Sequence, residues 1–343
     1  MLTRSLHSAA EFMSGRGVAL VLIAAILCGS AVGLAFPHAG QMLSGQIDYT
    51  ILLLVFLLLF EIRFQSILYS LNRLSFIAVA LVANFLIIPA LGFAIASIFL
   101  SAHPLFFIGL LIYFMAPCTD WFLGFTRLAN GNTALGAALL PINMLIQLLL
   151  FPVYLNIFGI DAVGTGTAGD ISQTLGQWFL IPLFMALALR FLAERLLRED
   201  QLDFVQSAVS VVVPLLLAVL VWQISAANIA TLMSHVAVVP LILFAIFLFF
   251  MLTFLLSEMI SRAMNLAYED RVLITMTTAA RNAPLMLALA MVVMPDQPVI
   301  YAAIIIGMLV ELPHLVALKF ILMRRRAFAA LDRALPGGEP SSR

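Results

Sequence analysis

Two short stretches of this chain combine a proline with polar side chains inside long apolar runs. The first reads Ala-Pro-Cys-Thr-Asp-Trp over residues 116–121, and the second reads Thr-Thr-Ala-Ala-Arg-Asn-Ala-Pro over residues 277–284. Proline lacks a backbone donor, so it leaves a carbonyl that must find another partner in apolar surroundings. We therefore expect both helices to unwind here and to expose carbonyls and helix ends that can coordinate ions.

Three ionisable residues lie within the apolar runs: Asp120, Arg281 and Glu311. A charge at the centre of a membrane helix costs about 2.5–3.5 kcal/mol on insertion scales, so it is expected to have a partner or a function. We expect Arg281 to pair with Asp120 or Glu311, which leaves the other carboxylate free to bind a proton or cation. The alternative is a purely structural ion pair. His314, one turn from Glu311, could join a proton relay or only cap a polar seam.

Cys118 lies next to the first break, where its thiolate could bind a soft metal or metalloid. The alternative is a small buried residue of the core. The other cysteine, Cys28, also falls in an apolar run, so the two do not suggest a disulfide framework.

Polar uncharged side chains near these groups are candidates for a substrate cavity, or for hydrogen bonds between helices. Two adjoin the breaks and three lie within other apolar runs: Thr119, Asn282, Asn84, Asn143 and Gln147. We group the first two with Cys118, Arg281, Asn84 and Asn143 as substrate-binding candidates. Asp120, Glu311 and Gln147 are the candidates for ion or proton coupling.

The elements that position these residues are predicted to be membrane helices. The 343 residues are 64% hydrophobic and 10% charged, with a mean hydropathy of +1.14, whereas soluble domains carry roughly 25% charged residues. A spanning helix needs about 20 mostly apolar residues. Ten segments qualify, at roughly 17–36, 47–62, 75–99, 104–126, 132–156, 173–193, 204–224, 230–257, 272–294 and 297–323.

The basic residues predict the orientation of these spans. Sixteen of the 17 Lys and Arg residues lie in or beside alternate gaps between the apolar runs, and Arg281 lies inside a run. This is the positive-inside pattern, which predicts that both termini are cytoplasmic. The first apolar run is too long for the core of a typical signal peptide, so we expect that it is not cleaved. We expect a multi-pass protein of a bacterial inner membrane, with the lipid bilayer as its surroundings and no nucleic-acid partner.

A weak internal repeat relates the two halves. Met144–Leu148 resembles Met308–Leu312, and each lies about 29 residues after an interrupted helix. Five spans per half require the second copy to be inverted, which is the layout of many secondary transporters, with the substrate site where the broken helices meet. We expect one repeat over 1–157, a linker over 158–172, the second repeat over 173–324, and a cytoplasmic tail over 325–343.

At these residues the chain resembles the bile acid:sodium symporter superfamily, and within it the bacterial arsenic-resistance branch of arsenite permeases. The motifs that carry the resemblance are Pro117-Cys118-Thr119-Asp120, Asn132, Pro152-Val153-Tyr154, Ala280-Arg281-Asn282 and Leu309-Val310-Glu311-Leu312. The resemblance implies ten spans in two inverted five-helix repeats, with a panel domain, a core domain, and fourth and ninth helices that cross. It also implies that Cys118 and Glu311 are functionally central.

The chain departs from the sodium-coupled branch of that superfamily, which carries a Glu and a Gln around the ninth-helix break. Here Thr277 and Arg281 stand where the motif would place them. A guanidinium at that position would repel Na⁺ and could take its place, which argues against sodium coupling.

The sequence therefore predicts an all-α secondary active transporter that exports arsenite or antimonite by proton antiport. Cys118 would contact the metalloid, and Glu311 or Asp120 would exchange the proton. The alternative is a symporter of a small organic anion, driven by Na⁺ or H⁺, with Arg281 binding the carboxylate. A channel fits the paired charge less well. An intramembrane enzyme is not expected, because no catalytic motif is present, and no cofactor is implied.

Overall fold

The computed structural model describes residues 16–61, 73–118, 121–158 and 181–334. These residues form helices and turns, and their one sheet-like contact is an isolated antiparallel bridge between Pro117 and Arg281. The predicted all-α class is confirmed in this part of the chain. The predicted linker at 158–172 lies almost wholly outside the described residues.

The described residues of the first half form eight α-helices, interrupted where the sequence predicts a break. Their bounds are α1 Arg16–Ala35, α2 Pro37–Ser44, α3 Ile47–Phe60, α4 Leu74–Val82, α5 Ile88–Leu100, α6 Pro104–Met115, α7 Trp121–Leu128 and α8 Thr133–Ile157. One π-helical turn, Ala83–Ile87, joins α4 to α5.

In the second half, residues 181–334 form six further α-helices. Their bounds are α9 Ile181–Leu196, α10 Glu199–Ser234, α11 Val239–Ala263, α12 Tyr268–Ala279, α13 Ala283–Val293 and α14 Pro298–Ala334. Residues 230–234 belong to α10 and not to the next span, and the predicted tail from residue 325 begins inside α14. Runs of Ala, Leu and Arg favour helix strongly enough to extend it beyond the apolar segment.

Within the described ranges, five helical segments are long and apolar enough to cross a membrane: Leu74–Leu100, Thr133–Ile157, Asp200–Thr231, Val236–Ala263 and Pro298–Ala327. Four shorter apolar helices accompany them, at Leu20–Ala35, Ile47–Phe60, Pro104–Met115 and Ala283–Val293. The last two of these four end or begin at the interruptions, since breaking a span divides its length between two half-helices.

One packing group contains α1, α2, α3, α9 and α10. Its closest approach is between α1 and α10, where a Cβ at Gly29 would lie 2.5 Å from Trp222 O and one at Gly33 would lie 2.2 Å from Ala226 O. Gly29 and Gly33 form a G-x-x-x-G pair, the spacing that lets the backbones of membrane helices touch. Substituting either glycine would push the two helices apart.

The second packing group is built from α4 to α8 and α11 to α14. Each group therefore draws helices from both halves of the sequence. Within this group α6 lies against α14, because Gly109 brings the backbone of Ile300 close and Gly307 leaves room for the ring of Tyr113.

Candidate functional site

The two interruptions meet each other in the second packing group. Helix α6 ends at Met115 and α12 ends at Ala279, and Ala116 and Ala280 that follow both have extended backbone. The N–H of Cys118 donates to Ala280 O (3.0 Å), and the N–H of Asn282 donates to Ala116 O (3.0 Å). These reciprocal bonds satisfy backbone groups that the breaks release. We call this place the crossing.

Arg281 lies at the centre of the crossing with none of its surface exposed. Its Nη2 donates to the carbonyls of Thr278 (2.7 Å) and Thr277 (3.1 Å) and to Asn84 Oδ1 (3.4 Å). Its Nη1 donates to the carbonyl of Phe114 (3.3 Å). The guanidinium is therefore bound by four oxygen atoms, which come from three helical segments. Three of these oxygens are backbone carbonyls, and the fourth belongs to the side chain of Asn84.

The predicted pairing of Arg281 with Glu311 is wrong in one respect. Glu311 does contact Arg281, but its Oε1 accepts from the backbone N–H (3.0 Å) rather than from the guanidinium. Among the residues that the structure describes, the guanidinium forms no salt bridge. The other predicted partner, Asp120, lies outside the described residues, as does Thr119. Among the described residues, the partners of the guanidinium are mainly carbonyls at the helix ends, and pairing with Asp120 stays a prediction.

Glu311 is fully buried on α14, where both of its oxygens accept hydrogen bonds. Tyr113 donates its hydroxyl to Oε2 (2.9 Å), and the Arg281 backbone N–H holds Oε1. The ring of Tyr113 reaches this position by lying against Gly307, one turn before Glu311. A carboxyl group in this position touches both broken helices, because Tyr113 belongs to α6 and Arg281 follows α12.

Asn84 occupies the π-helical turn between α4 and α5. Its Nδ2 donates to Thr277 Oγ1 (3.1 Å), while its Oδ1 accepts from Arg281. Pro89 follows the turn and has no N–H for the carbonyl of Phe85, which is instead bound by the hydroxyl of Tyr154. The turn thus aims Asn84 at the crossing, in keeping with the frequent placement of π-bulges at functional sites.

Asn143 and Gln147 lie one turn apart on α8 and are buried. Gln147 Nε2 lies 3.0 Å from the sulfur of Met144, and Asn282 Nδ2 lies 4.0 Å from the same sulfur. This face of α8 therefore contacts the crossing. Both side-chain polar atoms of Asn143 and Oε1 of Gln147 are buried without a partner in the described structure, as is Nε of Arg281. Buried polar atoms are costly unless they bind something, so these atoms are candidates for ligand contacts.

Cys118 is buried beside the crossing, as predicted, and Cys28 is exposed on α1. No group of three or more His, Cys, Asp and Glu side chains suited to a metal ion occurs in the described part of the chain. His314 is stacked on Phe250, with ring centroids 4.1 Å apart, and its Nε2 has no hydrogen-bond partner. This packing gives His314 no described link to Glu311.

At one end of the second packing group, charged side chains form what we call the ionic cluster. Asp270 pairs with Arg73, and Glu258 pairs with both Arg271 (3.4 Å) and Arg325 (2.8 Å). These contacts join the start of α4, the end of α11, the start of α12 and the last part of α14. The ionic cluster therefore ties helix ends together.

A cavity of about 280 Å³ lies at the opposite end, between the two packing groups. Its walls come from α3, α10, α13 and α14, and its polar lining includes Asp48, Asn228, Asp296 and Tyr301. Tyr113 and Phe114, in contrast, are not among the residues singled out in the sequence, and Tyr154 was named there only within the Pro152-Val153-Tyr154 motif of the family resemblance. Tyr113, Tyr154 and Phe114 all contact the crossing or its supports, but a lone aromatic residue in an apolar run carries no signal of that role.

A helical membrane protein in which two interrupted helices meet around buried charged groups has the architecture of a secondary transporter. Residues 48–232, more than half of the chain, match the family model described as the Sodium Bile acid symporter family, and the chain belongs to this family. The match confirms the superfamily that the motifs predict, and it makes the chain a multi-pass membrane transporter. It includes the first break and ends before Arg281 and Glu311. A comparison with curated proteins found no match.

Proposed function

We propose that the chain is a secondary active transporter of a small organic anion, which binds at the crossing. The observation that carries this proposal is the burial of Arg281 with no salt bridge in the described structure and with an unpartnered Nε. A guanidinium in low-dielectric surroundings attracts a carboxylate strongly, and its unpartnered Nε–H can donate to one directly. Intramembrane ionisable residues mark substrate pathways far more often than they serve as anchors.

The amides of α8 support the same proposal. Asn143 has an unpartnered donor and an unpartnered acceptor, and Gln147 has an unpartnered acceptor. A ligand with a carboxylate and a hydroxyl or amide group could satisfy Arg281 Nε and these atoms together. Transporters of this class bind substrate near the bilayer midplane at such a meeting of broken helices.

The proposed topology has ten spans in two inverted five-helix repeats, with both termini in the cytoplasm of a bacterial inner membrane. The reciprocal hydrogen bonds at the crossing support it, since a pseudo-twofold axis would pair Ala116 with Asn282 and Cys118 with Ala280 in this antiparallel way. In this orientation the ionic cluster faces the cytoplasm, and the cavity beside Asp48 and Asp296 opens to the other side.

Proton coupling is assigned to Glu311. Its carboxyl group is buried, contacts both broken helices and forms no side-chain ion pair in the described structure. A group that binds both α6, through Tyr113, and the segment after α12 can link its protonation to the relative position of the two helices. Asp120, the other predicted coupling residue, keeps that role as a sequence-based prediction.

The test is uptake by proteoliposomes that contain purified protein, with labelled taurocholate and labelled pyruvate as two sizes of organic anion. We expect uptake of at least one anion, reduced about 100-fold or more in Arg281→Gln, because a bond between charged groups in a buried site is worth about 3 kcal/mol. Arg271→Gln, on the helix α12 that precedes Arg281, is the matched control, and it should retain uptake. Equal uptake by wild type and Arg281→Gln would contradict the proposal.

Export of arsenite or antimonite is the second candidate, and the buried thiol of Cys118 at the crossing favours it. Trivalent metalloids are soft and bind thiolates, but the second cysteine of the chain lies exposed on α1 and cannot join the site. A single thiol makes a weak metalloid site, so the geometry favours the organic anion.

Growth of an arsenite-sensitive host separates the two candidates. Arsenite export predicts that wild type and Cys28→Ser protect the host and that Cys118→Ser does not, because only Cys118 adjoins the crossing. Transport of an organic anion predicts no protection by any of the three proteins. Protection by Cys118→Ser equal to that of wild type would exclude a thiolate role.

A further inference from the structure

The oxygen atoms around the Arg281 guanidinium come mainly from the ends of the two broken helices. The carbonyl of Phe114 lies in the last turn of α6, and those of Thr277 and Thr278 lie in the last turn of α12. Last-turn carbonyls have no partner within their helix, and they carry the negative end of the helix dipole. Two such ends therefore converge on a single positive group.

Asn84 Oδ1 completes this arrangement from the π-helical turn. Three of the four oxygens lie 2.7–3.4 Å from one nitrogen, Nη2, so they are grouped around a single position. Neutral oxygens from carbonyls and amides, grouped around one point, are the ligands that hard cations prefer in proteins. We call these four oxygens the oxygen cage.

The positive charge inside the oxygen cage is covalently attached to the chain. Discontinuous helices in transporters direct their unwound carbonyls and C-terminal ends at a mobile coupling cation. Here the C-terminal ends of α6 and α12 instead bind the side chain of Arg281. A second cation would meet both the repulsion of the guanidinium and the loss of its ligands.

We infer that Arg281 acts as a tethered cation, which fills an oxygen cage suited to a monovalent metal ion and removes the need for Na⁺ in the transport cycle. The positive charge in the oxygen cage then stays in place through the cycle, and the energy for accumulation comes from the proton that Glu311 carries. The statement about transport depends on the function proposed above, whereas the statement about ion binding does not.

Thermal unfolding of the purified protein tests the inference without any substrate. Wild type, Arg281→Gln and Arg271→Gln are compared in about 100 mM NaCl and in the same concentration of choline chloride. We expect Na⁺ to raise the Tm of Arg281→Gln by about 5 °C, because it enters the vacated oxygen cage. Wild type and Arg271→Gln should shift by less than about 1 °C, since neither has a vacant cage.

Chemical rescue gives a second measurement. Arg281→Ala leaves space for a free guanidinium ion, so guanidinium chloride at about 10 mM, far below denaturing concentrations, should raise the Tm of this variant. The same addition should leave wild type and Arg271→Ala unchanged. The inference is overturned if a folded Arg281→Gln has the same Tm in NaCl as in choline chloride. It is also overturned if guanidinium does not raise the Tm of Arg281→Ala.

If the Arg281 variants do not fold, the response of wild type to Na⁺ tests the inference. A rise in its Tm with Na⁺, or uptake stimulated about tenfold or more by Na⁺ over choline, would show that a mobile cation is still required. The outcomes for the two proposals are separable. Failure of both labelled anions to enter proteoliposomes removes the proposed substrate class, while the Na⁺ response of Arg281→Gln would still support the tethered cation.

Discussion

The crossing and the ionic cluster both hold buried charges, but they satisfy them with different partners. At the crossing, carbonyls of helix ends and one amide oxygen bind the guanidinium of Arg281. In the ionic cluster, arginine side chains bind the buried carboxylates of Asp270 and Glu258. Among the described residues, the first arrangement binds a guanidinium without a salt bridge, whereas the second pairs carboxylates with arginines.

This difference separates a site that can act on a ligand from one that holds the fold. A compensated ion pair offers little to an incoming anion, and its carboxylates can tie together helices that are far apart in sequence. An arginine bound only by neutral oxygens keeps its charge available. Arg190 of α9 resembles the structural case, because it binds Glu194 (3.0 Å) as well as the last-turn carbonyl of Phe60 (2.8 Å).

The largest effect is expected at Glu311. Glu311→Gln keeps the size of the side chain and can still accept from the Arg281 backbone, so the fold should change little. Because the amide cannot carry a proton through the cycle, we expect accumulation driven by an imposed pH gradient to be lost, while exchange of substrate at equal pH continues. The measurement is uptake into proteoliposomes with and without the gradient, and full gradient-driven uptake would contradict the role of Glu311.

An intermediate effect, on stability and not on transport, is expected at Asp270. This side chain also accepts from Asn132 Nδ2 (2.8 Å), and its partner Arg73 is about half exposed. Asp270→Asn should lower the free energy of unfolding by about 1–2 kcal/mol, because solvent screens the exposed partner. Proton-driven uptake should persist near the wild-type level. A loss of coupling without a loss of stability would place Asp270 in the mechanism and break the comparison.

The smallest effect is expected at Tyr113, which supports Glu311 from α6. Tyr113→Phe removes the hydroxyl that donates to Oε2 and leaves the packing against Gly307 intact. The lost hydrogen bond is worth about 1 kcal/mol, so uptake should fall about fivefold and its pH dependence should shift. An unchanged pH profile, measured alongside Glu311→Gln, would show that the hydroxyl only packs the core.

Much of the fold could be predicted because hydropathy and proline act locally along the chain. The apolar runs determine that the chain forms membrane helices, and the prolines at 117 and 284 determine where two of them break. The placement of Cys118, Asn282 and Glu311 near those breaks also followed from the sequence. The end of α10 could not be predicted in this way, because the helix continues through polar residues to Ser234.

The partner of Arg281 was decided only by the tertiary structure. A charge in an apolar run must be compensated, but the sequence does not specify whether carboxylates or helix ends lie within hydrogen-bond distance. That choice depends on contacts between residues far apart in the chain, such as Phe114 with Arg281 and Tyr113 with Glu311. Hydrogen bonds form over about 3 Å, so the packing of whole helices determines them.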